Sequence, residues 1–144
     1  MTEHENNLLE SLAGIVNKEN KTYTFKMEIS VGGKMLEGSF TAKYLSIGDR
    51  LKLGTLRAKL LDGAPSQSVD VFTDDLAYMI AYLQVGLKQT PSWWDYEELE
   101  SIEDVKRVYL EVAEFNDRFQ RQNATNRHAG SGSDNNSKET LESK

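Results

Sequence analysis

Two segments of alternating apolar residues, 23–30 and 35–44, flank a Gly32-Gly33 pair in this chain. A two-residue turn at these glycines places Val31 opposite Lys34 and predicts an antiparallel hairpin. In that register every pair on one face is apolar or small, namely Ile29 with Leu36, Met27 with Gly38, Phe25 with Phe40, and Tyr23 with Ala42. A slip of one residue would turn this set toward water, so the pattern fixes the register. One face of the hairpin therefore requires a covering layer.

The length of 144 residues fits a single domain, for which we expect a core over 22–120 and tails over 1–21 and 121–144. The net charge of −6 disfavours binding to nucleic acid or to anionic membranes, and it favours a protein partner. The chain has no cysteine and no long apolar run, which predicts a soluble cytoplasmic protein.

Apolar periodicity predicts three helices near 47–61, 74–89 and 101–120. Ser46 with Asp49, and Ser101 with Asp104, have the spacing of capping boxes at the first and third of these helices. Gly54 either weakens the first helix or permits its close packing on a strand. The predicted fold class is α+β, with the hairpin packed against the three helices.

Both ends of the chain are predicted separately. In the N-terminal tail, helical spacing behind a possible Asn7 cap predicts a short amphipathic helix that serves as a lid on the core or as a docking helix; its apolar residues are Leu8, Leu9, Leu12, Ile15 and Val16. The segment 121–144 has one leucine and no aromatic residue, so we expect it to be disordered.

The residue types disfavour catalysis. The two histidines, His4 and His128, both lie in segments expected to be mobile, which leaves no positioned proton shuttle. The acidic pairs Asp74-Asp75 and Glu97-Glu98 are typical of helix starts and solvated surfaces rather than of metal sites. We therefore expect no catalytic residue, no cofactor and no metal ion.

A basic helix face and an aromatic connector are the remaining candidate contact surfaces. The first predicted helix carries four cations, Arg50, Lys52, Arg57 and Lys59. They favour a solvated face or an acidic protein partner over nucleic acid, since a phosphate groove needs many cations together. In the connector, Trp93 and Trp94 with Tyr96 are either structural anchors or include one exposed indole that binds a partner.

An ordered series of short patterns resembles small tail-module proteins of long-tailed, siphovirus-type bacteriophages, and most closely the tail assembly chaperones. The patterns lie within residues 22–119 and are Gly38-Ser-Phe-Thr-Ala-Lys43, Ile47-Gly-Asp-Arg-Leu51, Leu56-Arg-Ala-Lys-Leu-Leu-Asp-Gly63, Asp74-Asp-Leu-Ala-Tyr-Met-Ile80 and Pro91-Ser-Trp-Trp94. None of them is a catalytic motif.

This resemblance implies a non-enzymatic late protein of the host cytoplasm that binds and solubilises the tape measure protein while tail tube subunits polymerise, and that is absent from the mature virion. In such phages a frameshifted longer product is common. No family motif assigns contact residues, so the partner-binding candidates come from composition and are Trp93, Trp94, Tyr96, Tyr23, Phe25, Phe40 and Tyr44.

Two further alternatives follow from the hairpin. A hairpin alone is marginally stable, so we expect added pairing with residues 64–72 or with a second chain at the hairpin edge, which would give a homo-oligomer. The same edge is compatible with a second function, that of a structural virion protein such as a tail tube, head-completion or decoration component.

Overall fold

The computed structural model describes Leu9 and residues 12–130, with side chains up to residue 125. Over these residues the fold is α+β, as predicted, with a four-stranded antiparallel sheet and three long helices. The strands are β1 (Ile15–Asn17), β2 (Thr22–Val31), β3 (Lys34–Lys43) and β4 (Leu87–Gln89). The helices are α1 (Ile47–Leu60), α2 (Val71–Gly86) and α3 (Ile102–Gly130), and a 3-10 turn covers Ser66–Ser68.

The central hairpin of β2 and β3 has the predicted register in every pair, from Val31 opposite Lys34 to Tyr23 opposite Ala42. Gly32 and Gly33 both have positive φ, +58° and +79°, which is the conformation that a two-residue hairpin turn requires. Phe25, Ile29 and Phe40 are buried on the apolar face. The local alternation of the sequence therefore determined this part of the fold.

The sheet is extended by β1 and β4, which corrects two predictions. Ile15 and Val16, expected in an N-terminal helix, pair with Thr24 and Tyr23 instead. Asn17 accepts a hydrogen bond from the Asn20 backbone N–H (3.0 Å), which stabilises the tight turn into β2. Segment 64–72 adds no strand, because it contains the 3-10 turn and the start of α2. Of the other predicted helix residues, Leu9 and Leu12 are buried in the core, and Leu8 lies outside the described residues.

The start of α2 and the end of α3 differ from the predicted helix boundaries. α2 begins at Val71 because the Asp70 carboxylate accepts a hydrogen bond from the Thr73 N–H (2.7 Å) and caps the helix. α3 continues to Gly130, so its predicted end at residue 120 and the predicted disorder of 121–130 are corrected. An i,i+4 ion pair between Asp117 and Arg121 (3.0 Å) favours the helix across that boundary. Residues 131–144 lie outside the described part of the chain.

The core lies between the sheet and the helices. α3 covers the apolar sheet face with Val108, Val112 and Phe115, all fully buried. The Phe115 ring stacks on Tyr23, with ring centroids 5.4 Å apart. The Tyr23 hydroxyl donates to a Glu111 carboxylate oxygen (2.7 Å), so its polar end is satisfied inside the fold. α2 packs beside α3, and α1 packs against α2.

Two carboxylates at and just before the start of α3 accept hydrogen bonds from backbone N–H groups at the end of β2 and in the hairpin turn. Asp104 accepts from the Ser30 N–H (3.0 Å), and Glu100 accepts from the Gly32 N–H (2.8 Å). The predicted capping box at Ser101 is therefore formed only in part: the Ser101 hydroxyl accepts from the Asp104 N–H (3.3 Å), while the Asp104 carboxylate binds β2. These hydrogen bonds occupy two backbone donors at this end of the sheet edge, which disfavours strand addition there.

The capping box at Ser46 is complete. Ser46 accepts from the Asp49 N–H (3.1 Å), and Asp49 accepts from the Ser46 N–H (2.9 Å) and pairs with Lys43 (3.1 Å). The Ser46 backbone N–H is the main cause that lowers the pKa of the Asp49 carboxyl, and Lys43 acts in the same direction.

This lowered pKa predicts a stability change in acid. Because the folded state holds the Asp49 proton less tightly than the unfolded state, the stabilisation is present above the unfolded pKa of about 3.9 and is lost as pH falls below it. We expect Asp49→Asn to cost about 1 kcal/mol at pH 7 and much less near pH 3, measured by urea unfolding. Glu19→Gln, an exposed change in the β1–β2 turn, is the control. An equal cost of Asp49→Asn at both pH values would contradict the assignment.

Gly54 does not serve close packing on a strand, which corrects one of its two predicted roles. It is exposed in the middle of α1, and a Cβ atom there would meet no atom within 4 Å. We therefore expect Gly54→Ala to raise the free energy of unfolding by about 0.5–1 kcal/mol, since alanine has the higher helix propensity and a smaller unfolded-state entropy. Thermal unfolding measures this, and a lower melting temperature would refute it.

Candidate functional site

The first turns of α2 and α3 present large apolar side chains to solvent. Val71 is 77% exposed and Phe72 is 59% exposed, although both directly follow the Asp70 cap. The buried face of α2 begins only at Ala77. On the neighbouring helix, Ile102 is 38% exposed at the first helical position. Apolar side chains grouped at a surface in this way are typical of binding sites rather than of an ordinary solvated face.

Between these two helices lies a groove of about 480 Å³. Six apolar or aromatic side chains line it: Phe72, Leu76, Tyr78, Met79, Ile102 and Tyr109. We call this the α2–α3 groove. Its volume is within the range of about 300–1,000 Å³ that is usual for ligand sites. Met79 adds an unbranched, polarizable side chain that adapts its shape to a bound surface.

A cluster of three tyrosines supports the walls of the groove. Tyr82 and Tyr109 meet edge to face with ring centroids 5.2 Å apart, and Tyr78 lies 6.0 Å from Tyr82 and 6.2 Å from Tyr109. Burial raises the pKa of the Tyr82 and Tyr109 hydroxyls above the ordinary value for tyrosine. The cluster gives the groove a fixed wall on both helices.

Arg57 of α1 supports the same wall from outside. Its guanidinium lies 5.8 Å from the Tyr78 ring centroid and makes two hydrogen bonds to the Asp74 carboxylate, one of them 2.9 Å long. These two hydrogen bonds together fix the orientation of the Arg57 and Asp74 side chains. Of the four cations predicted to form a basic helix face, Arg57 is thus engaged within the fold, whereas Arg50, Lys52 and Lys59 are exposed.

Two smaller depressions continue the apolar surface past the groove, and Leu76 lines both of them as well. Tyr96 and Ile80 also line both, and Tyr96 is 41% exposed. One depression reaches Leu99 in the connector, and the other reaches Leu60 at the end of α1. Leu76 is therefore the centre of a continuous apolar strip.

Charged side chains border the groove on both helices. Asp75 lies on α2, and Glu103 and Lys106 lie one turn apart on α3. All three are exposed. The border thus carries two carboxylates and one ammonium group, and it is acidic in balance.

Of the seven residues predicted to bind a partner, three lie in the core. Tyr23, Phe25 and Phe40 are at most 3% exposed, because the apolar hairpin face is covered by α3 and by the connector. These three residues are corrected to structural roles. Tyr44 is half-buried, with its ring centroid 4.9 Å from that of Phe119. Tyr96 is the member that reaches the apolar strip.

Trp93 and Trp94 are both half-buried and both pack on Phe40. The ring centroids lie 6.3 and 5.2 Å from Phe40, each in an edge-to-face arrangement. A Cβ atom on Gly38 would lie 2.3 Å from Pro91 Cγ and 2.6 Å from Trp93 Cζ2. Two of the sequence patterns that carry the phage resemblance, 38–43 and 91–94, therefore meet in one packing junction, where a side chain at Gly38 would be excluded.

Sequence reasoning did not single out the groove. It left Phe72 outside the predicted helix 74–89 and gave no binding role to the groove residues within the predicted helices, which are Leu76, Met79, Ile102 and Tyr109. The available signal was the helical spacing of Phe72, Leu76 and Met79, which places Phe72 on the same face of α2 although it precedes the predicted start of that helix.

The described residues contain no group of three metal-ligating side chains. Asp74 is paired with Arg57, while Asp75 borders the groove, so these adjacent carboxylates do not converge on one site. Glu97 and Glu98 are exposed. His4 and the His128 side chain lie outside the described residues. Within residues 12–130, no helix combines the length and apolar character that a bilayer span requires.

Comparison of the chain with protein-family models, with curated proteins and with solved structures finds no match. The description of this protein therefore rests on its own fold and groove: an α+β domain with an apolar groove between α2 and α3 and an acidic border.

Proposed function

We propose that this protein is a bacteriophage tail assembly chaperone that binds and solubilises the tape measure protein in the host cytoplasm, without catalysis. The observation that carries the proposal is the α2–α3 groove, with Phe72 exposed at its start. A chaperone of a helical, aggregation-prone polypeptide needs an accessible apolar strip on a stable scaffold. It also needs a solubilising charge, and the chain carries a net charge of −6.

The ordered patterns that resemble the tail assembly chaperones support the choice of partner. They favour the tape measure protein as the bound chain and the tail tube protein as a second contact. On this proposal the chaperone leaves before the virion is complete. Its own contribution is to cover apolar segments of the tape measure protein until the tube encloses them.

Co-expression with the tape measure protein of the same phage tests the proposal. The soluble fraction of that protein, and its co-elution with the chaperone on a sizing column, are measured with the wild-type chain, with Phe72→Asp and with Leu51→Asp. Leu51 is a matched control because it is 71% exposed on α1, outside the groove. We expect the wild type and Leu51→Asp to keep the partner soluble, and Phe72→Asp to fail. Equal insolubility with and without the wild-type chain would refute the proposal.

A structural virion component is the second candidate, and the edge of β3 favours it. On the side of β3 that faces away from β2, β4 pairs only with Thr41 and Ala42. Within the described residues, Lys34 to Ser39 therefore have no strand partner on that side. Such an edge is able to join copies of a subunit. Mass spectrometry of purified virions separates the two functions, because a structural component is present in stoichiometric amount and a transient chaperone is absent.

A further inference from the structure

We infer that the α2–α3 groove binds an amphipathic helix whose apolar stripe is flanked by lysine or arginine. This inference rests on the proposed function for the choice of a polypeptide as the occupant, and it specifies which segments of that polypeptide are bound. Three features of the groove support this occupant: its length, its helical apolar walls and the charge of its border.

The length of the groove matches two helical turns. Along α2 it extends from Phe72 to Met79, about 10 Å at the rise of an α-helix. The α2 wall of the groove presents the side chains of Phe72, Leu76 and Met79, which repeat at the helical spacing of three to four residues. A helix laid between α2 and α3 presents anchors at i, i+3 or i+4, and i+7, and these fill such a groove.

The helical walls of the groove disfavour an extended strand as the occupant. The α2 and α3 segments that form the walls, from Phe72 to Met79 and from Ile102 to Tyr109, are helical, so their backbone groups are already hydrogen-bonded within each helix beyond the first turn. An extended chain would bury its own unpaired N–H and C=O groups here, which costs free energy. A helix satisfies these groups internally and buries only side chains.

The border sets the preferred charge. Asp75 and Glu103 face a bound segment from the two walls, against the single ammonium group of Lys106. Glu100, which lines the adjoining depression at the start of α3, adds a third carboxylate, and its oxygen also accepts from the Gly32 N–H. Complementary rim charges raise the association rate and discriminate against segments of like charge. Basic residues beside the apolar stripe are thus favoured, and acidic ones are disfavoured.

Synthetic peptides and the full chain test this inference. The probe is a dye-labelled peptide of about 18 residues with a leucine stripe flanked by lysines, long enough to form a helix when bound. A second peptide has glutamate in place of each lysine, and a third has a proline in the centre of the lysine peptide. Binding is measured by fluorescence anisotropy at low and high salt.

We expect the lysine peptide to bind about five-fold more tightly than the glutamate peptide at low salt, with the preference reduced at high salt. The double variant Asp75→Asn, Glu103→Gln is expected to lose the preference. Phe72→Asp is expected to weaken binding of the lysine peptide about ten-fold, whereas Leu51→Asp is not. The proline peptide is expected to bind about ten-fold more weakly, because proline interrupts the helix. Thermal unfolding of each variant verifies that it is folded.

Equal binding of the lysine and glutamate peptides would overturn the charge preference. Equal binding of the proline peptide would overturn the helical occupant, and equal effects of Phe72→Asp and Leu51→Asp would overturn the groove as the site. If the tape measure protein stayed insoluble on co-expression while peptide binding was as expected, only the tape measure protein as partner would be refuted. If the wild-type chain solubilised the tape measure protein but bound the lysine and glutamate peptides equally, only this inference would be refuted.

Discussion

Replacing Phe40 with alanine is expected to lower the free energy of unfolding by about 4 kcal/mol, a large part of the usual stability of a domain. Phe40 is fully buried and joins two parts of the core. Its ring stacks on Phe25 with centroids 5.4 Å apart, and it meets both Trp93 and Trp94 in edge-to-face contacts. Alanine would leave a cavity between the hairpin and the connector, lined by rings that cannot close it without moving the backbone.

Urea unfolding followed by tryptophan fluorescence measures this effect. Because both indoles pack on Phe40, we also expect a red-shifted emission in the folded variant, from greater contact of the indoles with water. Met35→Ala is the control, since Met35 is exposed on the same strand. A loss below about 1 kcal/mol with unchanged emission would show that the two tryptophans do not depend on Phe40 for their positions.

Asn116→Ala is expected to cost about 3 kcal/mol, because this buried amide connects α3 to the segment between β3 and α1. Asn116 accepts a hydrogen bond from the Leu45 N–H (2.8 Å) and donates to the carbonyl oxygens of Lys43 (3.1 Å) and Val112 (3.1 Å). Asn116 and Leu45 are both buried. Alanine would remove the partner of a buried N–H in a segment that leaves the sheet and enters a helix, where the backbone has no regular ladder.

The measurement is the change in the urea midpoint at constant slope, with Gln120→Ala on the exposed side of α3 as the control. Asn116→Asp separates the two hydrogen-bonding roles, since a carboxylate retains the acceptor for Leu45 and loses the donor for Lys43. We expect Asn116→Asp to be destabilised as well, because it buries a charge close to the Lys43 carbonyl. A cost of Asn116→Ala no greater than that of Gln120→Ala would contradict the assigned role.

The elements that sequence reasoning placed correctly are those whose determinants are local. The hairpin register follows from Gly32-Gly33 and from the alternation on either side of it. α1 begins at Ile47, where the Ser46 and Asp49 pattern predicted it. In each case the turn or cap and the apolar pattern lie within about ten residues, so their agreement needs no knowledge of distant contacts.

The short strands and the end of α2 depended on distant partners, whereas the Asp70 cap at the start of α2 and the Asp117–Arg121 pair in α3 are local. The pattern at Ile15 and Val16 fits a helix that continues from Leu12, and only pairing with β2 makes these residues a strand. β4 follows α2 without a break, so periodicity extended the helix to residue 89 where the backbone instead joins Thr41 and Ala42. A strand of three residues is too short to impose its own period on the sequence.

The sequence by itself determined the α+β class, the hairpin with its buried face, and the absence of a cysteine-based site. The tertiary structure decided which apolar residues remain accessible: Phe25 and Phe40 are covered, while Phe72 and Ile102 border an open groove. The physical reason is that a helical stripe records only that its residues share a face. Whether that face is closed by a neighbouring helix or left as a groove depends on how α2 and α3 pack, which no single segment specifies.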